Sequence, residues 1–284
     1  MLKEDIIWYR PDSYEQALSI HLNEPDIVPC AGSTAILRIK SKKIKGFIDL
    51  SKCELSYIEK RKNKEANQAS IIIGSMATFN EVIEFLQKDN PASGTFEYML
   101  VKALVEAASY PLRNLITIGG SLYDFPLWSD LYAPLFCANV KIDCHNKVFD
   151  LVEYIKIRRS NPHIIEKITI DYDKNKKYGS ERFSQTTFDY AALRVAIAAS
   201  YTNDLSLDSF ICAVTGTKNL YFLEEKFNNL FLGKNLQNEK EFDDILDNSF
   251  FGFGNDFRFS QQYKEKMARV LIKDIMMREK IIIN

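Results

Sequence analysis

The chain has 284 residues, with 37 Lys plus Arg against 38 Asp plus Glu, so its net charge is −1. Apolar residues make up 46% and charged residues 26%, the balance of an ordinary globular protein, which excludes collagen, coiled coil and disordered tail. The near-neutral charge argues against a general nucleic-acid binder, and no run approaches the roughly 20 apolar residues of a membrane span. The length suggests about two domains, each able to bury a core. The opening Met1–Trp8 stretch lacks the charged and then apolar pattern of a secretion signal, and a cytoplasmic location is expected. Five cysteines, Cys30, Cys53, Cys137, Cys144 and Cys212, are odd in number and widely spaced. They predict neither a disulfide framework nor a metal site on this chain. His21, His145 and His163 are scattered and read as surface or structural residues.

In chain order, Asp12 and Ser13 offer overlapping capping boxes for a helix with Ala17, Leu18 and Leu22 on its apolar face, stopped by Pro25. Asp26–Cys30 reads as a strand running into Ala31-Gly32-Ser33-Thr34-Ala35-Ile36-Leu37, and Phe47–Leu50 as the next strand. The basic runs Lys40–Lys45 and Lys60–Lys64 read as solvated surface rather than phosphate patches. Ser70–Gly74 is a compact strand, and Thr78-Phe79-Asn80-Glu81 a capping box for a helix with Val82, Ile83, Phe85 and Leu86 inward. A third helix, through Leu100, Leu104 and Ala108, is expected to end near Pro111. Val140–Asp143 and the alternation over Ile164–Ile170 look like closing strands. The polar stretch Asp171–Gly179 is a hairpin tip or a linker. Leu193–Ser200 alternates with period 2 and reads as a half-buried strand. After a turn at Thr202-Asn203-Asp204, Phe210–Val214 returns beside it, and three helical pieces follow, the last over about Gln262–Lys280.

Two small-residue segments carry the candidate chemistry: Ala31-Gly32-Ser33-Thr34 and Thr117-Ile118-Gly119-Gly120-Ser121. Successive backbone N–H groups on such turns form a concavity for phosphate oxygens, and only small residues let the backbone come close. Thr34, Thr117 and Ser121 add hydroxyls, and the Asp130 carboxylate suits ribose hydroxyls. Neither segment is G-x-G-x-x-G or a P-loop, and no acid–base or nucleophile motif is present. A dinucleotide held between two loops, in a protein without acid–base machinery, points to electron transfer by a bound cofactor. Two ordinary turns are the plain alternative, and Tyr123, Phe125 and Trp128 read more readily as core than as a cofactor platform.

Ile7–Ala17 resembles the Y-x-R-P-x-S-x-x-E-A opening of the FAD-binding medium subunit of molybdenum hydroxylases, the carbon monoxide dehydrogenase and xanthine dehydrogenase family. Ala31–Thr34 resembles its A-G-G-T loop, Ile73–Glu81 its I-G-A-x-T-T-x-x-E segment, and Arg113-Asn114 with Thr117–Gly120 its R-N-x-x-T-I-G-G loop. Ser129-Asp130 falls where the family keeps a ribose-binding Asp. Phe188–Ala191, Leu232–Lys234 and Tyr263–Leu271 resemble its C-terminal domain, so the likeness runs in order along nearly the whole chain.

The resemblance implies an α+β protein: a two-subdomain FAD-binding domain of the vanillyl-alcohol oxidase (PCMH-like) type over 1–172, divided near 55, and a smaller C-terminal domain over 178–284 with an antiparallel sheet and helices. It implies FAD with its pyrophosphate and ribityl chain along Cys30, Ala31, Gly32, Ser33, Thr34, Ala35 and Ile36 and along Thr117, Ile118, Gly119, Gly120 and Ser121. Asp124 and Asp130 would face the ribityl or ribose side, Ile165 the flavin ring, and Arg182 the flavin's polar edge. Trp128 would pack on the adenine or the isoalloxazine. The family usually has Asn at Ser121 and small residues where Tyr123, Phe125 and Trp128 stand, so these rings either stack on the cofactor or narrow its pocket. Molybdopterin and [2Fe–2S] clusters would sit on a large and a small partner subunit, with NAD⁺ or another acceptor receiving the electrons. A stand-alone flavin oxidoreductase and a flavin-free scaffold are the alternatives.

Overall fold

The structure, a computed structural model, describes residues 6–36, 44–62, 67–159, 163–187, 189–203, 206–234 and 239–278. Leu37, Lys40–Lys43, Asn63, Lys64, Phe188, Asp204 and Lys280, each part of a segment read above, lie outside the described residues.

The chain starts with β1 (Ile7–Tyr9) and α1 (Tyr14–Asn23), followed by β2 (Ile27–Cys30) and β3 (Gly46–Asp49). Ser13 caps α1 by accepting the Gln16 N–H, and the three strands form a parallel sheet of order β1-β3-β2. Ala17 and Leu18 pack on Ile27 and Ile48, so the helix read from its apolar face covers this sheet. β1 has no counterpart among the sequence-read strands, because three residues with Ile7 and Trp8 exposed give no alternation to read.

β4 (Ile58–Lys62) and β5 (Gln68–Gly74) open the second unit. Five helices follow: α2 (Phe79–Gln87), α3 (Phe96–Ala107), α4 (Tyr110–Arg113), α5 (Ile118–Asp124) and α6 (Tyr132–Phe136). β6 (Asn139–Cys144), β7 (Lys147–Asp150), α7 (Leu151–Ile157) and β8 (Lys167–Asp173) complete an antiparallel sheet of order β4-β5-β8-β6-β7. Thr78, Thr95 and Thr117 cap α2, α3 and α5, and the Thr78–Glu81 capping box is formed in both directions. α3 stops at Ala107, earlier than expected. Pro111 has no N–H and its ring would meet the Ala107 carbonyl, so the chain breaks and restarts with Pro111 in the first turn of α4. The basic run at Lys60 starts on an edge strand, where Lys60 pairs with Asp89 at 2.8 Å and Glu97 at 2.9 Å, and Arg61 with Glu59 at 2.8 Å.

β9 (Lys177–Phe183), β10 (Leu193–Tyr201), β11 (Leu207–Thr217) and β12 (Leu220–Phe222) form an antiparallel sheet of order β12-β11-β10-β9, followed by α8 (Glu225–Asn229), α9 (Glu239–Asp247) and α10 (Gln261–Arg278). The polar Asp171–Gly179 stretch is therefore a passage between sheets: β8 ends in one and β9 starts in the other. Tyr263–Leu271 lies on α10, where the Glu265 carboxylate accepts the N–H groups of Phe251, Gly252 and Phe253 at 2.9, 3.0 and 3.1 Å.

β10 corrects the half-buried reading, since both its faces are covered. Leu193, Val195, Ile197 and Ala199 pack with α10, whereas Ala196 and Ala198 join the core of the five-stranded sheet. Arg194 lies on that second face and is fully buried. Small residues face the second layer because its helices come close, so the alternation of large and small marks two cores instead of core and water.

Candidate cofactor site

An isolated bridge between Thr78 and Thr117 aligns the starts of α2 and α5, with Phe79 N–H to Ile116 O and Ile118 N–H to Ala77 O, both 2.9 Å. Behind them the Arg113-Asn114 pair works structurally: Asn80 receives Arg113 Nε at 3.0 Å and donates to Asn114 Oδ1 at 2.6 Å. This frame presents the Thr117–Ser121 segment to the Ala31–Ile36 segment that leaves β2.

The two segments line one cleft of about 680 Å³. That is within the roughly 300–1,000 Å³ range of small-molecule and cofactor sites. Every sequence-predicted site residue except Cys30 and Ile118 lines it. Cys30 is buried behind the first wall, where burial raises its thiol pKa against a 3.2 Å contact between its Sγ and Ser33 Oγ. Ile118 points into the core beside Leu122. Each is the buried anchor of its segment, and neither lines the cleft.

The glycines permit close backbone approach. A Cβ on Gly32 would lie 1.4 Å from the Leu115 carbonyl oxygen, and one on Gly119 2.6 Å from Ser75 Cβ. The donors divide unequally. In the second segment Ile118, Gly119, Gly120 and Ser121 all donate their N–H groups inside the protein, to Ala77 O, Ser75 O, Thr117 Oγ1 and Thr117 O. In the first, the N–H groups of Gly32, Ser33 and Thr34 have no acceptor among the described residues, and Ser33 has φ 61°, the left-handed turn of an anion-binding concavity. The expectation that both segments offer amides is corrected to one; the other offers small surfaces and the Thr117 and Ser121 hydroxyls.

Asp130 is buried with its carboxylate engaged from behind: Arg194 Nε donates to it at 2.7 Å and Arg182 Nε lies 3.3 Å away. Arg194 also binds Ser180 Oγ at 2.9 Å and the Glu106 carboxylate, and Thr215 Oγ1 donates to Ser129 O at 3.3 Å. Burial opposes the charge on Arg194, but the Asp130 and Glu106 carboxylates outweigh it and raise its pKa. Arg182 also donates to Ser184 Oγ, Thr187 O and Asp189 O, making it a brace of the cleft wall. Asp124 and Ile165 stand on the wall, the latter beside Ile164.

The aromatic residues separate. Phe125 is core, stacked on Tyr132 at 3.5 Å between centroids, while Tyr123 and Trp128 line the cleft. Trp128 leans on Tyr190 across the cleft at 4.5 Å, and Tyr123 meets the edge of His163 at 6.1 Å. Sequence reasoning missed Ser75, Glu106, His163, Asp189, Tyr190 and, behind them, Arg194. Only Arg194 carried a signal, as a charge on a strand face otherwise made of alanines.

Residues 3–170 match the family described as FAD binding domain in molybdopterin dehydrogenase. The chain belongs to this family. The FAD-binding member is 24% identical over 193 residues to xanthine dehydrogenase 2 of Arabidopsis thaliana, a stretch that is 63% of this chain and 14% of that relative. The chain thus spans a small part of the relative's length. Its fold matches a reconstituted CO dehydrogenase chain from Oligotropha carboxidovorans with TM-score 0.84, at 19% identity, over 99% of this chain and 100% of the other. It also matches a chain of carbon monoxide dehydrogenase from Hydrogenophaga pseudoflava, a form lacking the Mo-pyranopterin moiety, with TM-score 0.82, at 18% identity, over 97% of each. The α+β architecture with antiparallel sheets is that of these chains.

The residues present fit FAD. Three amides of the first segment without an acceptor among the described residues suit a pyrophosphate, the glycines of the second leave room for its chain, and the buried Ser75 hydroxyl has no partner among the described residues. No described helix is long and apolar enough to cross a membrane.

Proposed function

We propose that the chain is the flavin-carrying electron-transfer subunit of a molybdenum hydroxylase complex. On this reading electrons arrive from [2Fe–2S] clusters of a small subunit, hydroxylation belongs to a molybdopterin-binding large subunit, and NAD⁺ or another acceptor takes the electrons onward. The observation that carries the reading is one cleft lined both by Gly32, Ser33 and Thr34, whose N–H groups have no acceptor among the described residues, and by the Thr117–Ser121 segment. FAD, when bound, supplies the redox chemistry, accepting electrons and passing them on. The first wall binds the pyrophosphate through backbone N–H groups, with Ala31, Ala35 and Ile36 beside it. Thr117, Gly119, Gly120, Ser121 and Asp124 border the ribityl chain. Asp130, held by Arg182 and Arg194, fixes the ribose end, and Ile164 and Ile165 exclude water beside the flavin. No side chain is assigned an acid–base role.

The domain division is part of the proposal: 1–172, divided near 55, for FAD binding, and 178–284 for assembly. The open cleft, with Phe125 turned into the core, argues against a scaffold whose aromatics have closed the site. The test is to purify the chain from cells that also express its complex and assay iron, molybdenum and flavin together. Co-purification of all three, with flavin bleached by the complex's own substrate, supports the reading. Flavin reduced by a substrate of the isolated chain would favour the stand-alone oxidoreductase.

A further inference from the structure

Ser75 is 4% exposed, and its Oγ is buried without a hydrogen-bond partner among the described residues. A buried hydroxyl left unpaired costs free energy, so its presence asks for an acceptor that the described residues do not supply. Its backbone is locked from two sides: Ser75 N–H donates to Glu166 O and Gly119 N–H to Ser75 O, both 2.9 Å. These bonds fix the residue where the Gly119 wall meets the Ile164–Ile165 wall, on the floor of the cleft. The absence of a side chain at Gly119, whose Cβ would lie 2.6 Å from Ser75 Cβ, lets the serine stand under the start of α5. The second segment spends all four leading amides inside the protein, so this wall lacks the donors that Gly32, Ser33 and Thr34 give the other.

We propose that Ser75 is a cofactor-binding residue whose hydroxyl donates to an oxygen of the ribityl–pyrophosphate chain of FAD. The inference rests on the flavin reading above. Replacing Ser75 by Ala separates a ligand role from a structural one, because the two predict opposite signs. In the ligand-free full chain, Ser75→Ala removes an unpaired polar atom, so its Tm stays level or rises. FAD, followed by quenching of flavin fluorescence on titration, binds about tenfold more weakly, the loss expected for one hydrogen bond to an anionic or hydroxyl oxygen. ADP, which shares the pyrophosphate but not the ribityl chain, locates the contact: an equal loss for ADP puts it on the pyrophosphate, and an unchanged ADP affinity on the ribityl chain. Unchanged FAD affinity in Ser75→Ala overturns the proposal. So does a fall in ligand-free Tm that accounts for the weaker binding. A wild-type chain that refuses FAD, alone and again with its partner subunits present, overturns the flavin reading itself, and the two failures are told apart by the wild-type titration.

Discussion

The two glycine segments look alike as sequence and differ as structure. Ala31–Ile36 leaves a parallel strand, and the N–H groups of Gly32, Ser33 and Thr34 have no acceptor among the described residues. Thr117–Ser121 is the capped start of a helix and commits its amides to Ala77, Ser75 and Thr117. One segment supplies donors and the other supplies proximity. A run of small residues signals close approach of backbone to something; whether that something is ligand or protein depends on where the amides go.

The strongest test of this contrast is where the first segment packs against the chain leading into the second. Gly32→Ala puts a Cβ on top of the Leu115 carbonyl, so the first wall must move. The expected cost is on the order of 4 kcal/mol, read as a lower denaturation midpoint, together with loss of FAD retention. Next comes the support behind Asp130. Arg194→Met leaves that buried carboxylate with Arg182 alone and frees Glu106, at an expected cost of about 3 kcal/mol in chemical unfolding. Arg194→Lys, which keeps the charge, recovers only part of it, because one ammonium cannot reach Asp130, Glu106 and Ser180 together.

Thr117→Ala sharpens the comparison. It removes the cap from Gly120 N–H and costs about 1 kcal/mol in stability, with a much smaller change in FAD affinity than any change at the first segment. The smallest effect belongs to a carboxylate that does not line the cleft. Burial works against the Asp256 charge, but the Lys264 ammonium at 2.7 Å and the Phe259 and Arg258 N–H groups bring its pKa down to about 2. A carboxyl depressed on folding stabilises above its unfolded pKa and loses that contribution as pH falls through the folded one. Acid titration of stability in Asp256→Asn is therefore flatter than wild type between about pH 4 and 2, with FAD binding at neutral pH unchanged.

Legibility followed local physics. Helices with a Thr or Ser cap and an apolar face were readable, as at Ser13, Thr78 and the long C-terminal helix, because cap and face lie within a few residues. The three-residue strands β1 and β12 were not, since pairing with a neighbour rather than their own alternation makes them, as Trp8 with Phe47 and Tyr221 with Thr215 do. The cleft's chain positions were legible through the ordered family motifs. The direction of its amides and the anchoring of Asp130 by Arg194 were not, because 64 residues separate that pair. The alternation in β10 pointed to a water-facing side that is in fact a second core, and only Arg194 among alanines distinguished the two.

The most direct measurement is the absorbance spectrum of the purified full chain before and after incubation with FAD and desalting. The account predicts flavin bands that survive desalting in wild type and vanish in Gly32→Ala. A wild-type chain that stays colourless after FAD is added, alone and again with its partner subunits present, would contradict it.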